Sequence, residues 1–312
     1  MENNPLVKKL YYQYVGLLTT ISSRRPLGTN VYNREWDILI ILDTCRIDAL
    51  DSVASEYNFL NEAAGEGIWS VGSSSVEWMA HTFTKKHLSD IRNTAYVSGN
   101  GFTQRVFEEG ERPDDGRGWS YTNWQTVKRD AFETLDQVFL YADQNKEWTT
   151  PPRAITERGI DIHRNSNPER LILHYAQPHH PYAANARKEG RSKLKEYETN
   201  PFEKLRGGHD LEPIWNAYLD ELREVLDEVQ MIINNTDAET VAITADHGEA
   251  FGEWGFIYGH PIGILHPAIR KVPWVETTAT DNHTFEPTLK PNERNSDVSE
   301  RTNEQLEHLG YR

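Results

Sequence analysis

Four short apolar runs constrain this chain more than any other feature of its sequence. They are "DILIIL" (37–42), "TAYVSG" (94–99), "RLILHYA" (170–176) and "TVAITA" (240–245). A strand with one wet face alternates apolar and polar residues. A continuous aliphatic run has no polar face and reads as a strand covered on both sides. Between the runs lie helical patterns. In the clearest, Ile214, Tyr218, Leu222, Val225, Val229 and Ile232 recur every three or four residues with charged residues between them. A second is "RAITERGIDIHR" (153–164). Strands alternating with helices predict an α/β fold, a mostly parallel central sheet sandwiched by helices.

A length of 312 residues suits one large α/β domain. The predicted layout is an N-terminal helix and linker (1–30), a catalytic domain (31–276) and a polar C-terminal tail (277–312). Residues 108–150 read as loops with one helix. The tail is rich in Pro and Asn, and either wraps the surface or stays unstructured until "EQLEHLGY" (304–311). Acidic side chains outnumber basic ones by 48 to 33, a net charge of -15, so a phosphate backbone would be repelled and non-specific nucleic-acid binding is excluded. The same acidity suits a strongly solvated surface in concentrated salt. A single cysteine excludes an intramolecular disulfide and a Cys-cluster zinc site. The segment "NPLVKKLYYQYVGLLTTI" (4–21) is too short and too polar to span a bilayer. It is expected to pack on the body as a surface helix rather than lie on a membrane. No secretory signal is evident, and a cytoplasmic location is expected.

In open α/β sheets ligands bind beyond the carboxyl ends of the strands. Three of the runs lead into polar residues there: Asp43 after the first, "QPHHPY" (177–182) after the third, and "DHGEAFGEWGFIYGH" (246–260) after the fourth. Asp43, Asp246 and His247 form a mixed oxygen and nitrogen set suited to zinc, manganese or a similar divalent ion. A nucleophile candidate stands in "VGSSSVEWMAHTF" (71–83). Ser74 and Glu77 have the spacing of a capping box, which places Ser74 at a helix N-terminus. Free N–H groups and the helix dipole favour an anionic oxygen there, and a bound metal would lower the hydroxyl pKa further. Ser73 and Ser75 are the alternatives. Cys45 reads as a small packing residue. Arg46 either pairs with Asp48 or holds an anion. His174 reads as a core histidine, His180 points away from His179, and His81 and His87 are expected at the surface.

"ILDTCRIDAL", "GSSSVEWM", "LHYAQPHHPY" and "TADHGEAFGEWG…GH" occur in the order of the motifs of the alkaline phosphatase/sulfatase superfamily. Over residues 36–275 the chain resembles that superfamily, and most resembles the short sulfatase-like proteins of halophilic archaea. The resemblance implies an alkaline-phosphatase-like sheet and a divalent metal ion (Zn, Mn, Mg or Ca). It implies Asp43, Asp246 and His247 as ligands, with Ser74 as the nucleophile that also touches the metal. His179 would lie near the leaving group, and His260 would contact phosphate or a second metal, with His266 a weaker candidate.

Two departures matter. No Cys-x-Pro-Ser-Arg or equivalent Ser motif supports formation of formylglycine, and Thr44 stands where calcium sulfatases carry a second Asp. The expected activity is therefore metal-dependent hydrolysis or transfer of phosphate esters, diesters foremost. Ser74 would form a phosphoserine and His179 would protonate the departing alcohol. The alternatives are a sulfuric ester hydrolase and a non-catalytic glycan-binding or scaffold relative. The expected partner is a small-molecule or glycan phosphate or sulfate ester.

Overall fold

The computed structural model describes residues 5–60, 67–116, 119–142, 148–291 and 298–311. Each apolar run forms a strand within two residues of its expected limits: β1 (Ile38–Leu42), β2 (Thr94–Ser98), β4 (Arg170–Tyr175) and β5 (Ala238–Thr244). Two edge strands complete the sheet, β3 (Thr134–Gln137) and β6 (Trp274–Ala279), in the order β6-β5-β1-β4-β2-β3. All neighbours are parallel except β6, which runs antiparallel to β5. In the centre, Ile40 stands between Leu173 and Ile243.

The main helices are α1 (Pro5–Ser22), α2 (Ile47–Val53), α3 (Ser75–Thr82), α4 (Pro152–Ser166), α5 (Leu211–Ile233) and α6 (Val298–His308). The two-residue period of β4 shows why its run is continuous. Leu173 and Tyr175 face α4, where the Tyr175 hydroxyl meets Thr156 at 2.9 Å and Gly159 leaves room for Leu173. His174, between them, faces the other way and meets Trp78 of α3 edge-on at 5.6 Å. With helices on both faces, every position of β1 and β2 is buried. The six residues of the α5 pattern are all fully buried.

Three expectations change. Among the described residues of 108–150 there is no α-helix, and that stretch supplies β3 instead. β6 runs past residue 276, so the sheet takes in the start of the tail. His81 and His87 are buried, His81 against Trp124 and His87 against Tyr32. Beyond β6 the chain packs Phe285 and Leu289 on the core. α6 then docks through Gln305, which accepts from the Gly101 N–H at 2.7 Å and donates to the Gly99 carbonyl at 2.8 Å.

Parallel strands direct their carboxyl ends to one side, so the loops after β5, β1, β4 and β2 converge. The loop after β5 lies close against residues 268–269, with the Gly248 N–H on the Ile269 carbonyl at 2.7 Å. A Cβ at Gly248 would stand 2.2 Å from the Ala268 carbonyl oxygen, and backbone cannot yield cheaply. Gly248→Ala should therefore cost about 1–3 kcal/mol, read as a lower urea midpoint with an unchanged m-value.

Candidate active site

Asp43 follows β1 and Asp246 follows β5, and both carboxylates are buried. Asp43 is aimed inward by a bend at Thr44, whose φ of 67° is unfavourable for a β-branched residue. The Tyr218 hydroxyl holds that bend by donating to the Thr44 carbonyl at 2.8 Å. Asp246 accepts the His247 N–H at 2.9 Å on one oxygen and the Ser75 hydroxyl at 2.7 Å on the other. Asn100, beyond β2, donates its amide to Asp43 and to the Ser75 oxygen, each at 3.0 Å.

The serine inside this cluster is Ser75, the first residue of α3. Ser74 is its N-cap, accepting the Glu77 N–H at 3.4 Å. The expected capping box is shifted by one residue. Buried Glu77 reaches the Ser73 N–H at 2.8 Å and the Ser73 hydroxyl at 2.6 Å, not the backbone of Ser74. The Ser73 oxygen in turn accepts the Gly263 N–H at 2.8 Å. With Ser73 and Ser74 so engaged, the helix turns Ser75 toward Asp246.

The imidazoles share one arrangement. Nδ1 of His247 lies 2.9 Å from the Gly248 carbonyl, and Nδ1 of His179 lies 2.5 Å from the His180 carbonyl. A carbonyl only accepts, so Nδ1 carries the hydrogen and Nε2 keeps a lone pair. Nε2 of His247 then faces Asp246 at 3.4 Å, Asp43 at 3.7 Å and the Ser75 oxygen at 3.4 Å. His260 points its Nδ1 at Glu249 at 2.9 Å, and its Nε2 accepts the Tyr311 hydroxyl at 2.5 Å. Burial pushes His179 and His260 down to about 4, so both are neutral at neutral pH.

These residues form two groups whose ligand atoms lie within 4.8 Å of one another: Asp43–Asp246–His247 and His179–Glu249–His260. The groups adjoin, with the His247 and His260 rings 4.5 Å apart. Burial, with Asp246 and Glu249 nearby, pushes the Asp43 carboxyl well above its usual range. Burial likewise lifts Glu249 to about 7. It would raise Asp246 too, but the His247 and His174 imidazoles hold that carboxyl below its usual range. Among the described residues Asp43 Oδ1, His179 Nε2 and Glu249 Oε2 are buried with no hydrogen-bond partner. Lone pairs converging without a proton to share are costly in a protein interior, and a divalent cation relieves that cost. The residues therefore fit a metal ion, the first group most fully.

The other candidates sort as follows. Arg46 pairs with both Asp48 oxygens, at 2.8 and 2.6 Å, and with Glu253 at 2.5 Å. Cys45 is fully buried, and burial pushes its thiol up. His174 lies behind Asp246, its Nδ1 on the Tyr96 hydroxyl at 2.7 Å. His180 stacks on His179 at 4.3 Å. His266 caps a short helix through the Ala268 N–H at 3.1 Å and joins neither group.

Asn100, Glu249 and Tyr311 were not singled out from the sequence. Asn100 stands in a Gly-Asn-Gly at a strand end, and Glu249 stands three residues after Asp246. Tyr311 enters from the chain's last described residues and packs on Phe102 at 4.8 Å, with nothing in the sequence to announce it.

A family model described as Sulfatase matches residues 79–297. The match takes in Asn100, His179, Asp246, His247, Glu249 and His260, while Asp43 and Ser75 precede it. No curated protein matches the sequence. Among solved structures, the soluble domain of lipooligosaccharide phosphoethanolamine transferase A from Neisseria meningitidis is similar at 16% identity and a TM-score of 0.48, covering 79% of this chain and 77% of that one. A putative sulfatase from Bacteroides thetaiotaomicron is similar at 10% identity and 0.37, covering 88% and 70%. The C-terminal periplasmic domain of EcEptC from Escherichia coli, in complex with Zn, is similar at 11% identity and 0.41, covering 81% and 76%. The family model spans more than two thirds of the chain, and the chain belongs to the sulfatase family.

Proposed function

We propose that the protein is a metal-dependent hydrolase or transferase of phosphate esters, diesters foremost, with Ser75 as nucleophile. One observation carries this reading. The Ser75 hydroxyl, at the first position of α3, donates to Asp246 and accepts from Asn100 beside the Asp43–Asp246–His247 group. Its oxygen is held by a donor, and its hydroxyl is fixed beside the carboxylates that would hold the ion. The N-terminus of α3 favours negative charge where that oxygen would attack. A divalent ion on Asp43, Asp246 and His247 would lower the Ser75 pKa and neutralise a non-bridging ester oxygen. The imidazole nitrogens favour zinc over calcium or magnesium, which prefer all-oxygen sets, and manganese lies between them.

His179 changes role. With its hydrogen on Nδ1 and a lone pair on Nε2, it is set to bind a cation or accept a proton rather than to begin the reaction as the acid of a leaving alcohol. We assign it, with Glu249, to a second cation or to an ester oxygen through one, and His260 joins them only if it gives up the Tyr311 hydroxyl. Sulfate esters rank second. Ser75 is followed by Val-Glu-Trp, which lacks the Pro-Ser-Arg context of a modified nucleophile. The substrate is a small-molecule or glycan ester, and the acidic surface suits concentrated salt.

Nitrophenyl phosphate monoester, diester and sulfate, assayed with manganese or zinc, test the reading. Turnover should be fastest on the diester, and Ser75→Ala should reduce it about a thousandfold or more. Ser74→Ala should keep turnover within about tenfold while costing about 1 kcal/mol of stability through loss of the cap. The reverse pattern would return the nucleophile to Ser74. A second measurement needs no substrate. Manganese or zinc at about 100 times its dissociation constant should stabilise the wild type by about 2.7 kcal/mol, seen as a raised thermal midpoint that chelator reverses. Asp43→Asn should lose most of that shift.

A further inference from the structure

The first helix carries its apolar side outward. α1 turns Val15, Gly16, Thr19 and Ser22 onto the body, a mostly small or hydroxylated set. Leu6, Leu10, Leu17 and Ile21 are each more than half exposed, and their spacing of four, seven and four residues draws one stripe along the helix. The orientation is fixed rather than incidental. The Tyr14 hydroxyl donates to the Gly263 carbonyl at 2.7 Å, and Tyr121 donates its N–H to Thr20 at 2.9 Å. Gly16 admits the backbone of Trp119, whose oxygen would lie 2.3 Å from a Cβ there. These contacts bring exposed Trp119 and Tyr121 to one margin of α1.

Charge is inverted along the helix itself, while Asp114 at the Trp119–Tyr121 margin is occupied by Ser120, Thr122 and Trp124. Between Glu2 and Glu35 there is no acidic residue, while Lys8, Lys9, Arg24, Arg25 and Arg34 are basic, in a chain whose net charge is -15. Lys8 and Lys9 lie in the first turns of α1, and Arg24 and Arg25 follow its end, all four exposed. We propose that α1, with Trp119 and Tyr121 at its margin, is a docking face for a bilayer surface carrying anionic headgroups. Large aliphatics on one stripe, cations at both ends and aromatics at the edge match the layers such a surface presents: acyl chain, charged phosphate and the interface between them. A second copy fits poorly, because either orientation of two such helices sets cations against cations. No described helix is long and apolar enough to cross a membrane, so α1 would lie in the plane of the surface. The loop gripped by Tyr14 follows directly from His260, so docking would bring the site close to that surface.

Flotation of the full chain at low salt tests this, using vesicles of phosphatidylcholine alone or mixed with phosphatidylglycerol. The wild type should float with the mixed vesicles and release as salt rises. Leu17→Asp/Ile21→Asp should weaken that binding about tenfold or more, and Lys8→Glu/Lys9→Glu should reduce it to the level of phosphatidylcholine alone. Both pairs are exposed, so thermal midpoint and ester turnover should stay at wild-type values. Failure of the wild type to float, or flotation of both variants equal to that of the wild type, would overturn the proposal. So would a wild-type dimer in sedimentation that Leu17→Asp/Ile21→Asp dissociates, since a second copy would then cover the face. Flotation is read without turnover, so it fails or holds independently of the ester chemistry.

Discussion

Two imidazoles, His179 and His247, each with its Nδ1 hydrogen held by a carbonyl, present Nε2 lone pairs beside three buried carboxylates, and a third, His260, is spanned by Glu249 and Tyr311. No Lys or Arg reaches Asp43 or Asp246 among the described residues; the basic side chains within 4 Å of them are imidazoles. In a low-dielectric interior, positive charge among the lone pairs stabilises this arrangement. Outer hydrogen bonds that fix the tautomer and aim Nε2 are the usual surroundings of a metal-bound histidine. Much of the local structure serves this group. Tyr218 braces the bend after Asp43, Asn100 ties Asp43 to Ser75, and Glu77 fixes the loop that leads to Ser75.

The fold supplies the convergence. Residues separated by 203 positions, Asp43 and Asp246, become neighbours because β1 and β5 are parallel and adjacent. β4 and β2 follow on the other side of β1 and deliver His179 and Asn100. Burial of the strands on both faces keeps these ends in register, so the geometry of the site is a consequence of core packing. Tyr311 adds a contribution from outside the sheet. It reaches His260 only because Gln305 docks α6 onto the Gly99–Gly101 turn.

What could be read from the sequence follows from these causes. The central strands were legible because two-sided burial leaves uninterrupted aliphatic runs. β3 was not, since it has four residues and its Asp136 is spent on an ion pair with Arg158 at 2.8 Å. β6 was hidden by its edge position, which permits Glu276 and the threonines. Asp43, Asp246 and His247 stood out as chemistry at strand ends. The choice among Ser73, Ser74 and Ser75 did not, because the cap signal locates the start of a helix but not its rotation. That rotation is set by Glu77 binding Ser73 and by Asn100, which is distant in sequence. Arg46 could be settled only once Glu253 was placed beside it, and His81 only once Trp124 covered it.

The central claim is that the Asp43–Asp246–His247 group holds a divalent cation against Ser75. Anomalous X-ray scattering from crystals grown with zinc or manganese, recorded on either side of the metal absorption edge, tests it directly. The account predicts a peak enclosed by Asp43, Asp246 and His247 with the Ser75 oxygen among its ligands. Metal bound elsewhere on the protein, with no peak among those four side chains, would contradict it.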